Sequence, residues 1–173
     1  MLSDDLIYLR KLEETDLDQT WNWIYEPEIY NAIGFQVPIS KTEQRRWFDD
    51  MEKNRSKIVF AICFKENSEH IGNVSIDLID FRHRNARISI FLADHDKRGC
   101  GFGTRAIKLL ITYAFDYLNL HRIYCKANAG EIMVLNFYKK VGFKEEGKLR
   151  EHEYVVGKYT DKILLGLLKN ERK

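Results

Sequence analysis

The sequence predicts a single domain of the α/β class, of mixed α+β character, in which helices cover a mixed β-sheet. Three observations predict it. Strand-like runs follow one another through the first half of the chain, and strands alternate with helical runs farther on. The chain has 173 residues, of which 45% are hydrophobic and 31% charged, so it is long enough for one buried core. We therefore assign residues 1–173 to one domain.

The first half of the chain predicts an opening strand, two helices and three more strands. Residues 6–12, LIYLRKL, are typical of a strand, and Thr15 is available to cap a helix in EETDLDQTWNWIY. Ser40 and Glu43 form a capping box at the start of the second helix. The next strands are predicted at 57–64, 70–81 and 86–93, with the polar turn RHRN before the last of them.

The second half predicts helices between strands and ends in a hairpin. A strand at 121–129 precedes a short helix at 131–140, which Gly142 terminates. The last two strands, 142–156 and 158–168, turn at Gly157. Before these elements, a helix over 101–118 has one apolar face, formed by Ile107, Leu110, Ile111, Ala114 and Leu118.

Composition and charge exclude several classes of function. The formal net charge is only +2 and the basic residues are scattered among acids, so nucleic acid is not predicted as a partner. Cys63, Cys100 and Cys125 are widely spaced and form neither a disulfide framework nor a zinc site, so we predict no metal. No run is long enough to span a bilayer and the N-terminus lacks a signal-peptide core, so we expect a cytoplasmic protein without a membrane partner.

The segment RGCGFG holds three of the ten glycines, Gly99, Gly101 and Gly103, between a predicted strand and a predicted helix. No Ser, Thr, Asp or Asn is placed to cap that helix, so its first N–H groups can contact a ligand, and Arg98 and Arg105 add positive charge. This is the chemistry of a phosphate cradle. The spacing fits neither a P-loop nor a dinucleotide fingerprint. A glycine-rich turn without a ligand is the alternative.

The loop belongs to a longer series of motifs. Arg98-x-x-Gly101-x-Gly103 resembles the [QR]-x-x-G-x-[GA] signature of the GNAT N-acetyltransferases. NLHRIYCKA, NFYKKVGFKEEGKLRE and GKYTDKILL are similar to the C-terminal half of the RimJ/RimL-type branch, and LRKLEETDL, PEIYNAI, PISKTEQRRWF and IGNVSIDLID resemble its N-terminal half. The chain also resembles the spermidine acetyltransferases. This resemblance implies a central mixed, mainly antiparallel sheet that is flanked by helices and splayed at the cofactor site.

The resemblance further implies acetyl-CoA as cosubstrate and a primary amine as acceptor. The family binds the CoA pyrophosphate on the amides of the glycine loop and pairs pantetheine with the preceding strand, where an N–H near Phe91 or Leu92 would stabilise the oxyanion. Relatives have a CoA-binding Asn where this chain has Glu131, and Asn128 or Asn136 could replace it. The implied cofactor-binding residues are Phe91, Leu92, Ala93, Arg98, Gly99, Cys100, Gly101, Phe102, Gly103, Thr104 and Asn128.

Tyr138 lies in YKKVGF, where the family has its general acid. Acetyl transfer from a thioester releases a thiolate that needs a proton, and a phenol with a reference pKa of about 10 is protonated at neutral pH. Tyr138 shares a helix face with Val134 and Val141, so we expect an anchored ring with its hydroxyl in the cleft. A tyrosine that only packs its helix is the alternative. Cys100 is interpreted as a small filler residue, because no histidine motif accompanies it.

The general base stays unassigned. Many relatives have a glutamate near the start of the strand 86–93, and this chain has Arg87 there. His83 has the most suitable reference pKa, about 6.5, although the RHRN turn also fits a solvent-exposed histidine. An amine of low pKa would need no dedicated base. The candidates to replace the glutamate are Glu28, Asp80, His83 and Glu153.

Three acceptor classes fit this branch of the family: a protein N-terminus, a polyamine, and an amino sugar or similar metabolite. Spermidine acetyltransferases have two acids before the proline of the first loop, and this chain has Gln36 and Val37, which weakens the polyamine interpretation. We predict that the loop 26–38 and the hairpin at 152–159 form the walls of the acceptor pocket, and that the tryptophans of WNWIY pack in the core. The acceptor-binding residues assigned are Glu28, Tyr30, Phe35 and His83.

The motifs together predict an acetyl-CoA-dependent N-acetyltransferase that transfers the acetyl group directly to a primary amine, with Tyr138 as general acid. The alternative is a non-catalytic acetyl-CoA-binding sensor or interaction module, which only the missing strand glutamate supports. Family members are often dimers, so the resemblance implies a homodimer, while the sequence itself does not set the oligomeric state.

Overall fold

A computed structural model describes residues 2–26, 29, 38–93, 95–155 and 157–172 of the chain. The strands are β1 Leu2–Ser3, β2 Ile7–Lys11, β3 Ile58–Phe64, β4 His70–Asp80, β5 Asn85–Leu92, β6 Arg122–Asn128, β7 Lys144–Val155 and β8 Lys158–Leu168. The helices are α1 Leu17–Ile24, α2 Lys41–Lys53, α3 Phe102–Thr112 and α4 Ile132–Val141.

The strands form one sheet in the order β1-β2-β3-β4-β5-β6-β8-β7. Neighbouring strands are antiparallel except β5 and β6, which run parallel. A parallel pair needs a crossover connection, and α3 supplies it. The mixed, mainly antiparallel sheet with flanking helices is therefore confirmed.

β5 and β6 separate after a short contact. Their pairing comprises Asn85↔Arg122, Ala86↔Ile123 and Arg87↔Tyr124. Beyond it, β5 continues on β4 as far as the Leu92↔Gly72 pair, and β6 continues on β8 as far as Asn128↔Lys162. We call the gap between residues 88–92 of β5 and 125–128 of β6 the split. It confirms the splay that the resemblance implied.

Buried side chains form two clusters on opposite faces of the sheet. β3 contributes Ile62 to one cluster and Ala61 to the other, and successive strand residues point to opposite faces. The larger cluster includes α3 and α4, and it confirms the predicted helix face because Ile107 and Leu110 are 0% exposed. The smaller cluster includes Phe48 of α2. Within the described residues, no helix has the length and apolar character needed to cross a membrane.

Several element ends follow from local sequence signals. The predicted capping box is confirmed at α2, where the Glu43 N–H donates to Ser40 Oγ at 3.2 Å and the Ser40 N–H donates to the Glu43 carboxylate at 2.8 Å. Gly142 ends α4 with a φ of +117°, and Gly157 lies in the β7–β8 turn with a φ of +85°. Glycine is favoured in this left-handed region because it has no Cβ.

One predicted helix cap is wrong, and one predicted helix changes its geometry along its length. Thr15 does not cap α1, because it lies inside a 3₁₀ turn, Glu14–Asp16, and Asp16 is the N-cap residue of α1. The helix predicted over 101–118 has α geometry only from Phe102 to Thr112 and continues as the π-helix Tyr113–Tyr117. The apolar pattern missed this change because one buried face continues through both segments.

Candidate active site

The glycine loop, residues 98–104, leaves the first turn of α3 without a side-chain cap. Gly101 is the N-cap residue, and no side chain of the described residues accepts a capping hydrogen bond there. Gly99 and Gly101 have φ values of +79° and +90°, so the backbone itself requires glycine at both. A Cβ at either residue would meet nothing within 4 Å. The loop therefore presents helix N–H groups to open space, as an anion site requires.

Gly103 connects the loop to the helix of the predicted acid. A Cβ on Gly103 would lie 3.5 Å from the ring of Phe137 and 3.7 Å from the side chain of Leu92. Phe137 precedes Tyr138 in α4. The glycine loop, the end of β5 and the middle of α4 therefore pack against one another.

The other loop residues differ in their surroundings. Phe102 is half-buried and packs edge-to-face on Phe64, with ring centroids 4.9 Å apart, and Thr104 is half-buried. Cys100 is exposed, and its thiol donates to the Asp96 carbonyl at 3.3 Å. Its solvent-facing thiol therefore does not fill space in the core.

The two arginines of the loop point to different partners. Arg98 donates from Nη2 and Nε to the carbonyl of Leu92, at 3.1 and 3.3 Å. Arg105 donates to Asp4 at 2.8 Å and to Asp5 at 2.5 Å. The expectation that Arg105 adds charge to the cradle is wrong, because two carboxylates of the N-terminal segment balance that charge.

The open edge of β5 carries the backbone groups of Leu92. The Ala93 N–H donates to the Ile71 carbonyl of the neighbouring chain segment at 3.0 Å, so Ala93 faces β4. Successive residues of a strand direct their N–H and C=O groups to alternate edges. Leu92 therefore faces the split, where Arg98 binds its carbonyl. Of the two amides predicted for the oxyanion, that of Leu92 points into the gap and that of Phe91 toward β4.

Tyr138 is anchored in α4 at the split. Its side chain is 5% exposed, and its ring packs against Phe137 and Phe143 at centroid distances of 5.0 and 5.4 Å. Cys125 of β6 belongs to the same buried cluster as Tyr138. Burial raises the pKa of Tyr138 above its usual value, and burial also raises the pKa of Cys125 to about 12. Aromatic rings rather than Val134, which is 38% exposed, hold the ring in place.

Asn128 and Glu131 bind each other at the end of β6. The Asn128 N–H donates to the Glu131 carboxylate at 3.3 Å, and Asn128 Oδ1 accepts from the Thr160 hydroxyl at 3.2 Å. Glu131 is thus directed toward the backbone of its own loop. Asn136, the other candidate for the missing asparagine, lies on the exposed face of α4.

An arginine–aspartate pair lies near the start of β5, where many relatives have the glutamate named above as the missing base. Arg87 Nε donates to Asp77 Oδ1 at 2.6 Å across the β4–β5 pair, and Asp77 is 8% exposed. Beside them, the hydroxyls of Ser75 and Ser89 hydrogen-bond each other at 2.7 Å. Polar groups therefore line this face of β4 and β5 up to the split.

Trp23 contacts the end of β5, which the sequence did not predict. Its ring lies edge-on to Phe91, with centroids 6.0 Å apart, and to His70, with centroids 4.7 Å apart. Trp23 is half-buried and belongs to neither core cluster, so the expectation of core packing is wrong for this residue. The side chain instead forms a wall on the α1 side of the split.

His70 is buried below that wall. Its Nε2 lies 3.0 Å from the Gly72 carbonyl and 2.8 Å from Asn73 Oδ1, and its Nδ1 lies 3.4 Å from a carboxylate oxygen of Asp16. Arg10 donates two hydrogen bonds to the same carboxylate, at 2.6 and 2.7 Å. Burial lowers the pKa of His70 below its usual value.

Of the candidate bases, Glu153 lies beside Asn128 at the end of β6, because the Thr160 hydroxyl donates to the Glu153 carbonyl and to Asn128 Oδ1, both at 3.2 Å. The structure does not bring Asp80 and His83 to the split. Asp80 and His83 lie at the end of the β4–β5 hairpin where β5 is still paired with β6, and the His83 N–H donates to Asp80 Oδ1 at 2.8 Å. Glu153 is ion-paired with Lys162 at 2.6 Å. The described residues contain no group of three or more His, Cys, Asp or Glu side chains placed to hold a metal. Outside the described residues lie Glu28, Tyr30, Phe35, Gln36 and Val37.

Comparison with known proteins identifies the family. The GNAT acetyltransferase domain model matches residues 7–144, which include the glycine loop, the split and α4. Spermidine N(1)-acetyltransferase of Vibrio cholerae is 33% identical over 159 residues, which cover 88% of this chain and 87% of the relative. Spermidine N(1)-acetyltransferase of Escherichia coli K12 is 27% identical over 169 residues, 97% of this chain and 83% of the relative. An uncharacterized N-acetyltransferase of Bacillus licheniformis, p20, is 29% identical over 174 residues, 98% of this chain and 97% of the relative.

Solved structures share the fold over nearly the whole chain. The crystal structure of spermidine N-acetyltransferase from Vibrio cholerae in complex with CoA and spermine matches with a TM-score of 0.91 and 26% identity, covering 97% of this chain and 98% of that one. A dodecameric structure of spermidine N-acetyltransferase from the same organism matches with a TM-score of 0.84 and 27% identity, covering 96% of each chain. The chain therefore belongs to the GNAT acetyltransferase family and is an acetyl-CoA-dependent N-acetyltransferase.

Proposed function

We propose that residues 1–173 act as one acetyltransferase domain whose acceptor is a small polyamine, with Tyr138 as general acid. Three groups that meet at the split carry the proposal: the N–H groups of the glycine loop, the amide of Leu92 and the Tyr138 side chain. Acetyl transfer needs a phosphate site, an oxyanion donor and a proton donor, and these groups match those needs in that order.

The geometry of the chain fits acetyl-CoA at this place. Open space at Gly99 and Gly101 admits the pyrophosphate to the N–H groups of α3, and the unpaired edge of β5 at Leu92 offers backbone groups to pantetheine. Arg98 has a more specific role in this proposal than adding charge. Because its guanidinium binds the Leu92 carbonyl, it fixes the end of β5 against the loop.

The proposed reaction forms one bond and breaks another. The acceptor nitrogen bonds to the carbonyl carbon of the acetyl group, and the carbon–sulfur bond breaks. The Leu92 N–H stabilises the oxyanion, and Tyr138 gives its phenolic proton to the departing sulfur. β5, all of which is described, has no carboxylate, so the acceptor releases its own proton to water beside the exposed Ser89. Tyr138 then regains a proton from water, so the proton that the acceptor releases balances the proton that the sulfur has gained.

The acceptor class rests on the relatives and on one wall of the site. Two relatives that match over most of this chain are spermidine acetyltransferases, and a solved neighbour holds spermine with CoA. The half-buried ring of Trp23 beside Phe91 offers an apolar and π surface to the methylene chain and ammonium groups of a polyamine. A peptide N-terminus and an amino sugar are the competing acceptors.

The proposal extends to assembly and location. We propose that the chain self-associates, which the dodecameric neighbour supports. We also propose that it works in the cytoplasm, which the free thiols of Cys63, Cys100 and Cys125 support, because thiols persist in a reducing compartment. Light scattering of the purified chain measures self-association, and cell fractionation measures its location.

The test is acetyl-CoA turnover followed by thiol release. Wild type and Tyr138→Phe are compared with spermidine, glucosamine and a short peptide with a free N-terminus, and CoA binding is measured for both. Turnover with spermidine that falls at least about 100-fold in Tyr138→Phe, with CoA binding retained, is the expected result. Turnover confined to the peptide or the sugar would overturn the proposal that the acceptor is a polyamine. Undiminished turnover in Tyr138→Phe would overturn the proposal that Tyr138 is the general acid.

A further inference from the structure

Ser75 and Ser89 lie on the face of the sheet opposite to the larger core cluster. They are cross-strand partners of β4 and β5. Their neighbours Ile76 and Ile88 are also partners, and both belong to the larger cluster, which includes α3 and α4. Because successive strand residues point to opposite faces, the two serines point away from α3 and α4.

Ser89 therefore shares its face with the aromatic wall of the site. Phe91 is two residues farther along β5, so its side chain points to the same face as that of Ser89. Trp23 of α1 packs on Phe91 there, with ring centroids 6.0 Å apart. Ser89 is exposed and lies on the part of β5 that borders the split. It thus places a hydroxyl group next to the wall assigned above to the acceptor.

The two hydroxyls and Asp77 form a chain of hydrogen bonds with one direction. The Ser75 hydroxyl donates to Asp77 Oδ2 at 3.5 Å, a long hydrogen bond, and Ser75 Oγ lies 2.7 Å from Ser89 Oγ. Asp77 Oδ1 accepts from Arg87 Nε at 2.6 Å. A carboxylate in an ion pair accepts hydrogen bonds and donates none, and a hydroxyl has a single proton. Because Ser75 gives its proton to Asp77, it accepts the proton of Ser89.

This direction leaves the Ser89 oxygen as a hydrogen-bond acceptor at the split. Its proton is directed to Ser75, so its remaining lone pairs are available to a ligand. A primary amine has N–H groups that donate, both as an ammonium and as a neutral amine. A hydroxyl accepts from either form, and unlike a carboxylate it adds no full charge that favours the ammonium. It therefore suits an acceptor that loses a proton before it attacks.

We propose that Ser89 binds the attacking amine, accepting one N–H and so directing the nitrogen lone pair toward the acetyl carbonyl. Ser75 and Asp77 are positioning residues that act through Ser89, because they fix the direction of its hydroxyl. Tyr138 belongs to the larger cluster on the opposite face, so the amine and the departing sulfur use different faces of the split. The inference holds for any amine acceptor, and it rests on the proposed function for the place of the acetyl group.

The experiment compares Ser89→Val with Ser89→Thr in the full chain. The two side chains have the same shape, both suit a strand, and only threonine has a hydroxyl. Steady-state kinetics use whichever of spermidine, glucosamine and the short peptide the wild type acetylates. Ser89→Val is expected to lower kcat/KM for that acceptor about fivefold, the effect of one hydrogen bond, with an unchanged KM for acetyl-CoA. Ser89→Thr is expected to restore most of this loss.

A double-mutant cycle tests the positioning by Ser75. Ser75→Ala is expected to lower kcat/KM for the acceptor about threefold, because the Ser89 hydroxyl loses its fixed direction. In the Ser89→Val background the same change is expected to lower kcat/KM no further, because the group that it positions is gone. A Ser75 that only packs the sheet would cost the same factor in both backgrounds.

The outcomes separate the inference from the proposed function. Equal kcat/KM values for Ser89→Val and Ser89→Thr would overturn the role of Ser89. An equal loss from Ser75→Ala in both backgrounds would overturn the positioning role. Failure of the polyamine or of Tyr138 shows in the turnover test described above, whereas the difference between the valine and threonine variants concerns the hydroxyl alone.

Discussion

The two ends of β5 show how one strand can serve both the fold and the site. At the closed end, residues 85–87 pair with β4 on one edge and with β6 on the other. At the open end, residues 88–92 pair with β4 alone. The closed end satisfies its backbone groups within the sheet, whereas the open end keeps a row of them for a ligand.

Each end has its own arginine, and the two have different partners. At the closed end, Arg87 binds the carboxylate of Asp77 on the next strand. At the open end, Arg98 binds the backbone carbonyl of Leu92. The first contact joins two strands that are already paired, and the second fixes a strand end that has lost its neighbour. We therefore expect changes at the open end to affect catalysis and changes at the closed end to affect stability.

Among the changes that compare the two ends, the largest effect is expected for Gly101→Ala in the glycine loop, next to the open end. A Cβ is strained at a φ of +90°, and it would enter the space proposed for the pyrophosphate. The Kd for CoA, measured by calorimetry, is expected to rise at least about tenfold, since each 1.4 kcal/mol is tenfold. Gly147→Ala is the matched control, because Gly147 in β7 also has open space but is free of a left-handed φ. Equal CoA affinity in the two variants would contradict the proposal that the glycine loop binds the pyrophosphate of CoA.

Arg98→Ala is expected to lower kcat/KM for acetyl-CoA about tenfold, because the Leu92 carbonyl loses charge-assisted hydrogen bonds that fix the strand end. Steady-state kinetics measure this change. Arg87→Ala tests the other end and is expected to keep kcat/KM within about threefold. Comparable losses from both variants would remove the distinction between the ends.

Arg87→Ala is expected instead to lower the free energy of unfolding by about 1 kcal/mol, because Asp77 is almost buried and loses its ion-pair partner while Arg87 is itself partly exposed. Urea denaturation measures the loss. Arg82→Ala, in the exposed turn beside β5, is the control and is expected to change little. A wild-type midpoint for Arg87→Ala would show that the pair does not stabilise the closed end.

His70, which is buried next to the open end of β5, makes the free energy of unfolding depend on pH. Burial lowers its pKa in the folded chain, so between that pKa and the unfolded value of about 6.5 the unfolded chain binds more protons. Stability is therefore expected to fall as pH decreases below about 6.5, by at most about 1.4 kcal/mol per pH unit for one group. Urea midpoints at pH 5.5 and 7.5 measure this loss. His70→Asn is expected to reduce the difference, while the exposed His121→Asn keeps it.

The smallest effect is expected for His83→Ala. His83 lies in the exposed turn next to the closed end, away from the split. Its removal is expected to change kcat/KM less than about twofold at any pH from 6 to 9. A loss of the alkaline or acid limb of the pH profile in this variant would instead restore His83 as a catalytic base.

The sequence by itself determined the features that depend on neighbours along the chain. The capping box of Ser40 and Glu43, the ends at Gly142 and Gly157, and the buried face of α3 depend on residues a few positions apart. The glycine loop is also local, because its φ values and missing side chains belong to a few consecutive residues. The resemblance then supplied the splay and the place of Tyr138.

Only the tertiary structure decided which distant side chains meet. Arg105 binds Asp4 from about a hundred residues away. Trp23 of α1 reaches Phe91 of β5. Such contacts depend on the register and packing of whole elements, because the folded chain brings together groups that spacing along the sequence leaves apart.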